Sequence, residues 1–364
     1  NRGREDKRSR FATYSASFKT RSKLPALRES KPMNIRIFSL ASVVFFLICS
    51  CVSLSAQIVK QQPVRPGDAR WTDGFWGQRF QLCSEAIIPD MERAMGDPAK
   101  GAYLGNFRRA SGLEKGGHRA TAWSDGDCYK WLEAQAWLYA VTRDPKVDAK
   151  MEYWIDLIAR TQAEDGYIGT QTQLNPNKER WGKRAYHELY NHGHLFTAAA
   201  VHHQATGRDS FLKVAERLAA YLEGVFGSRP KELADFGWNP SQIMGLVDLY
   251  RVTGNKRWLE LAGVFVDMRG TKKTPSSKWG LPESADDPHP GDQNQNRVPL
   301  REETKAVGHA VTGAYLWAGA ADLYAETGDK SLMKALREIW TDMVERKMYV
   351  TGAIGAYHHG VSER

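Results

Sequence analysis

The chain has 364 residues, 42% of them hydrophobic and 26% charged, and a formal net charge of +9. Residues 1–57 hold eleven Lys and Arg against three Asp and Glu, leaving +1 for everything after them; the basic excess sits at one end, which argues against a nucleic acid or other polyanion as partner of the main domain. The roughly 300 residues that follow suffice for one large domain with a substantial core.

Residues 1–32 do not begin with Met, are basic and lack hydrophobic period; they read as a disordered segment or as translated upstream sequence. The stretch MNIRIFSLASVVFFLICSCVSLSAQ then has a short basic start at Arg36, an apolar run from Ile37 to Cys49 and small residues from Ser53 to Ala56. This is the pattern of a signal peptide over 33–56, with export to the periplasm or exterior and cleavage near Ser55 or Ala56. The apolar run is shorter than the ~20 residues a membrane span needs, so no stable span is expected. Ile48-Cys49-Ser50-Cys51 partly matches a lipoprotein box, which makes lipid anchoring at Cys51 the alternative. A linker over 57–70 leads into a domain over 71–364.

From Phe75 onward apolar residues recur at helical spacing, as in Trp131, Leu132, Ala134, Leu138 and Tyr139, with Gln135 on the same face, then Tyr153, Ile155, Leu157 and Ile158. The fold class is all-α. Four segments punctuate it: VTRDPKVDAKM, ATGRDSFLKVA, VTGNKRWLELA and ETGDKSLMKAL. Each ends one helix, turns at Gly or Asp-Pro, and starts another amphipathic helix. Their threonines, Thr142, Thr206, Thr253 and Thr327, stand 64, 47 and 74 residues apart. That spacing is too long and uneven for an ordinary solenoid and fits a toroid of paired helices, an (α/α)6 barrel. Thr271 to Pro299 is rich in Pro, Asp, Asn and Ser, without helical period; a loop of that length is expected over the mouth of the barrel.

Candidate chemistry gathers at a few places. His187, His192 and His194 stand in YHELYNHGHLFTAAAV, and Gly193 between them permits close approach of backbone or ligand. His187 and His194 are two turns apart on one face; by themselves they read as capped or buried core histidines at a helix start. His309 opens a helix of small residues in EETKAVGHAVTGAYL. Asp125 and Asp127 in WSDGDCYKWLEA precede a helix; the first reading is an N-cap at Asp127, the second a carboxylate reaching a ligand. At i and i+2 on one loop they make a poor acid/base pair for glycoside hydrolysis. Trp123, Trp131, Trp137, Trp181 and Tyr167 supply aromatic rings, and Tyr167, on a loop after Gly166, looks least like core. Cys83 and Cys128 remain beyond the leader, as a disulfide or as two buried thiols; there is no CxxC pair and no metal cluster of cysteines.

The run VPLREETKAVGHAVTGAYLWAGAADLYAETGD, together with MYVTGAIGAYHHG, ELYNHGHL and SDGDCYKWLEA, resembles glycoside hydrolase family 127, the β-L-arabinofuranosidase group, from about Trp71 to Gly360. The resemblance implies an incomplete (α/α)6 barrel, with the catalytic glutamate and zinc-binding cysteines of the family expected beyond Arg364. No catalytic residue and no metal are therefore expected within this chain, whereas zinc is expected in the complete protein. It implies substrate contacts from His187, His194, His309 and His358, beside Tyr167, Asp125 and Asp127, and a carbohydrate as the partner. Asn239 in FGWNPSQIMGLVDLY stands where many relatives read Gly-His, and Met91 lies near a position that is often polar, so this chain departs from the family at contacts of the kind that set sugar specificity. The implied activity is hydrolysis of non-reducing terminal β-L-arabinofuranosyl residues with retention. Other readings stay open: another (α/α)6 glycan-active enzyme, such as an unsaturated glucuronyl hydrolase or a polysaccharide lyase, or a helical module that binds glycan or protein without turnover.

Overall fold

Helix ends set the architecture, and the four Thr-centred segments build them in one way. Thr142, Thr206, Thr253 and Thr327 are each the last residue of a helix and donate the hydroxyl to the carbonyl four residues back, at 2.9, 2.7, 2.7 and 2.8 Å. Each hydroxyl also accepts the backbone N–H two residues on, so one side chain ties the last helical turn to the first free amide after it. The next residue is left-handed, Arg143 in one turn and Gly207, Gly254 and Gly328 in the others. In three of the turns Asp144, Asn255 or Asp329 then caps the following helix.

The computed structural model describes residues 64–97, 99, 102–237, 239–271 and 291–355, all within the unit Lys60–Arg364. Among the described residues there is no strand. Helix α1 (Gly74–Leu82) runs through a π-helical turn (Cys83–Ile87) into α2 (Ile88–Gly96), and α3 (Tyr103–Ala110) follows. Four helical pairs come next: α4 (Ser124–Thr142) with α5 (Pro145–Thr161), α6 (Glu188–Thr206) with α7 (Ser210–Phe226), α8 (Ser241–Thr253) with α9 (Lys256–Met268), and α10 (Ala310–Thr327) with α11 (Lys330–Arg346). The first members pack on one another in the order α4, α6, α8, α10 and form the inner layer of an (α/α)6 toroid; the second members back them from outside. The outer helices bury one apolar stripe each, as Leu212, Ala215, Leu218, Ala219 and Leu222 do on α7. Inner helix α6 is buried nearly all round.

Inner helices approach closely where side chains are absent. A Cβ on Gly193 would lie 2.3 Å from the backbone of Ser241, and one on Gly245 would lie 2.4 Å from the Gly193 carbonyl. Gly193 thus serves contact between α6 and α8 rather than approach of a ligand. The core between layers holds Trp131, Phe107, Phe196, Phe211 and Phe226, all fully buried, each contributing about 1.5–3 kcal/mol by leaving water. Cys83 and Cys128 are free thiols, so the disulfide alternative falls away. Among the described residues no helix is long and apolar enough to cross a membrane.

Candidate functional site

Because the pairs alternate in direction, the inner helices all begin at the same end, and their first turns are linked. The Gly126 amide on α4 donates to Asn191 Oδ1 on α6 at 2.9 Å. Ser241 at the start of α8 donates its hydroxyl to the Tyr190 carbonyl at 2.8 Å. Thr312 on α10 donates its hydroxyl to Asn239 Oδ1 at 2.7 Å. Polar residues at helix starts are a local requirement, since the first N–H groups need acceptors; four such starts side by side concentrate them.

Within this rim His187, Tyr190 and His194 lie on one side of α6. His187 is its left-handed N-cap residue, with φ 56°. The Trp123 ring stands edge-on to His187 at 5.3 Å, and Tyr190 packs against both imidazoles, at 6.0 Å from His187 and 4.6 Å from His194. The Tyr315 hydroxyl of α10 lies 3.2 Å from His194 Nε2. Lys130 bonds to the Tyr190 hydroxyl and pairs with Asp127 at 3.1 Å. His309 is the N-cap of α10, its Nδ1 accepting the Thr312 amide at 3.3 Å, and it is near enough to His187 to disfavour charge there.

Burial holds His187 and His194 neutral. It pulls His187 down to about 4, with His309 adding to the effect, and His194 down to about 3, with Lys130 adding. A neutral imidazole donates through one nitrogen and accepts through the other, which suits adjacent hydroxyls of a sugar. Trp123 remains 40% exposed beside them and offers an apolar face of the kind on which sugar C–H groups stack.

The structure thus brings together His187, His194, His309, Asn239 and Asp127 from the residues singled out in the sequence. It places four others elsewhere, Tyr167, Asp125, His192 and Trp181. Tyr167 is 0% exposed: its hydroxyl donates to Glu188 Oε1 at 2.6 Å and lies 2.8 Å from Thr172 Oγ1. It is a core residue, not a stacking platform, because the turn at Gly166 folds the ring toward a buried carboxylate. Asp125 is likewise structural, with both oxygens taken by Thr170, from its amide at 2.8 Å and its hydroxyl at 2.6 Å. The helix starts at Ser124, so Asp125 and Asp127 fall in its first turn and neither is the N-cap. His192 faces the opposite side of α6 and donates to the Ile168 carbonyl at 2.7 Å. Trp181 is partly buried against Tyr221, Phe226 and Phe236. His358 lies outside the described residues. Tyr190, Tyr315 and Lys130 belong to the rim and were not singled out in the sequence. For Tyr190 the signal was there: His187, Tyr190 and His194 follow the three- and four-residue steps of one helix face.

Residues 68–364 match the family profile described as Beta-L-arabinofuranosidase, GH127 catalytic domain. The chain belongs to glycoside hydrolase family 127. A non-reducing end beta-L-arabinofuranosidase of Bifidobacterium longum subsp. longum is 32% identical to it, over 80% of this chain and 48% of its own length. Among solved structures, a GH127 beta-L-arabinofuranosidase from Geobacillus stearothermophilus T6 superposes with a TM-score of 0.72 at 32% identity, over 80% of this chain and 47% of that one. Another, a GH127 beta-arabinofuranosidase, gives 0.67 at 31% identity, over 81% and 45%. The chain therefore spans about half the length of these relatives.

Family 127 implies zinc held by cysteines, and the described residues do not fit it. Among them no group of three or more His, Cys, Asp or Glu is arranged to hold a metal ion. Cys128 is wholly enclosed, and burial pushes its thiol well above the ordinary value, with Asp125 and Asp127 adding to the shift; such a cysteine resists becoming the thiolate a metal needs.

Proposed function

We infer that this chain carries the sugar-recognition rim of a glycoside hydrolase acting, with retention, on non-reducing terminal β-L-arabinofuranosyl residues. The observation that supports this most is the convergence of His187, His194 and His309 with Tyr190, Tyr315 and Trp123 at the shared start of the inner helices. The imidazoles and tyrosines bind and orient hydroxyls, Trp123 receives the apolar face of the ring, and Asn239 is carried at the edge by Thr312. The proton donor and the nucleophile are not assigned among the described residues. The nearby carboxylate Asp127 is engaged by Lys130, and hydrolysis needs two carboxyl groups, or their equivalents, on either side of the bond.

The test pairs binding with turnover. Methyl β-L-arabinofuranoside is titrated into residues 57–364, and an aryl β-L-arabinofuranoside is assayed with these residues and with the protein extended to the length of its relatives. Expected are binding of the β anomer, its weakening in His194→Ala, turnover by the extended protein, and none by residues 57–364. Equal affinity for the α anomer, or no binding to either protein, rejects the assignment. Turnover by residues 57–364 that is lost on changing a residue within them would instead place the chemistry here. Export through the segment 33–56 forms part of the same proposal, and its check is the location of a reporter fused after Ala56.

A further inference from the structure

Arg269 is a buried cation with hardly any carboxylate chemistry around it. It follows the last residue of α9 and is 4% exposed. Its Nε donates to the Gln295 carbonyl at 3.2 Å, and its two terminal nitrogens donate to the carbonyls of Asn294 and Gly237. Burial pulls the guanidinium down to about 9, with Arg184 adding and Asp235 opposing. A cation so placed is costly unless its donors are matched, and here each of its three nitrogens donates to a backbone carbonyl, from two separate loops.

Both loops lead to the rim. Gly237 stands two residues before Asn239, whose side chain takes the Thr312 hydroxyl. Gln295 is itself buried and left-handed, with φ 49°; its amide donates to the carbonyls of Val307 at 2.8 Å and His309 at 3.1 Å, while the His309 amide donates to the Gln293 carbonyl at 2.9 Å. Gly308 makes this fit tight, since a Cβ there would lie 1.9 Å from the Asp292 carbonyl oxygen. Arg184, which forms an ion pair with Asp235 at 3.5 Å, opens the short turn that ends at His187.

We propose that Arg269 is a positioning residue for the sugar site, fixing through one planar guanidinium the loops that present His309 and Asn239. This deepens the arabinofuranoside reading and rests on it for the identity of the ligand. The fork geometry is essential to the role: three carbonyls in fixed directions suit a guanidinium, whereas an ammonium on a flexible stem can satisfy them only in part.

The experiment uses residues 57–364 and three variants, Arg269→Lys, Arg269→Met and Gln295→Ala. Histidine ring signals are followed by NMR, with and without methyl β-L-arabinofuranoside. The expected result is displacement of the His309 ring signal in all folded variants while His202 and His203, at the far end of α6, hold theirs. Affinity for the glycoside should fall about tenfold or more in Arg269→Met and less in Arg269→Lys. Gln295→Ala keeps the guanidinium's bond to the Gln295 backbone and removes only the side-chain bonds to Val307 and His309, so it calibrates the His309 signal, while Arg269→Lys keeps the test of Arg269 alive should Arg269→Met fail to fold. A His309 signal unmoved in folded Arg269→Lys overturns the proposal, as does glycoside affinity equal to wild type in that variant. If wild type binds no glycoside while His309 still moves, the sugar assignment fails and the positioning role stands.

Discussion

Two sides of the first turns of α6 carry the same residue types and do different work. One side holds Glu188 and His192 against Tyr167, Trp181 and Ile168; the other holds His187, Tyr190 and His194 against Trp123, Lys130 and Tyr315. On the first side both Glu188 oxygens are taken, by the Tyr167 hydroxyl and the Trp181 amide, and Arg180 covers the Tyr167 ring at 4.1 Å. On the second side the aromatic contacts run out to a half-exposed Trp123 at the end where all the inner helices begin. Histidines and tyrosines therefore do not mark a binding site by type. What separates the sides is their surroundings: Glu188 and His192 bond to groups enclosed with them in the core, whereas Tyr190 and His194 bond to Lys130 and Tyr315 beside the half-exposed Trp123.

The largest effect expected from this contrast is on stability. Tyr167→Ala should lower the unfolding free energy by about 3–5 kcal/mol, as loss of a buried aromatic does, and it strands Glu188 besides; urea unfolding measures it. A loss below about 1 kcal/mol would mean that the ring is not core.

The two sides should also respond to pH with opposite signs. His194 has a folded value of about 3 against 6.5 unfolded, so its stabilising share is complete above pH 6.5 and is withdrawn as pH falls toward 3. Glu188 has a folded value of about 7 against 4.5 unfolded, so burying its carboxylate costs stability above pH 7, and that cost is relieved as pH falls toward 4.5. Between pH 7 and 5, wild type should lose about 1–2 kcal/mol relative to His194→Gln and gain a similar amount relative to Glu188→Gln. Urea unfolding of the three proteins at both pH values decides it, and slopes of the same sign would erase the distinction.

A modest effect on stability, about 1–2 kcal/mol, is expected from Trp123→Ala, whose ring is 40% exposed and otherwise packed against His187. Calorimetric titration should nonetheless show loss of glycoside binding. Retained binding would remove Trp123 from the site. A smaller effect is expected from Tyr315→Phe, which removes the hydroxyl 3.2 Å from His194 Nε2. It should cost about 0.5–1.5 kcal/mol of stability and weaken binding of methyl β-L-arabinofuranoside, whereas Tyr221→Phe, behind the other side, should leave binding unchanged.

Much of this was legible in the chain order. The Thr-centred turns depend on hydrogen bonds spanning two and four residues, so their sequence signal is complete in itself. His187, His194 and His309 could be named because they sit at helix starts within long family motifs. Tyr190 lay in plain sight on the same face but reads as helix body until its neighbours are known. Tyr167 misled because a tyrosine after Gly166 on a loop looks like a surface residue, and its partner Glu188 is 21 residues away. Asp125 misled likewise, its partner Thr170 being 45 residues on. Arg269 gave no signal at all, since its acceptors are backbone carbonyls of loops 25 to 32 residues distant.

The sequence by itself determined the helical class, the turns that pair inner with outer helices, and the family, because these rest on local hydrogen bonding, on hydrophobic period and on contiguous motifs. Only the tertiary structure decided which polar residues bond within the core between the layers and which gather at the shared start of the inner helices. That division follows from desolvation: a carboxylate, imidazole or phenol takes its role from the groups packed against it, and here those groups arrive from other helices and loops.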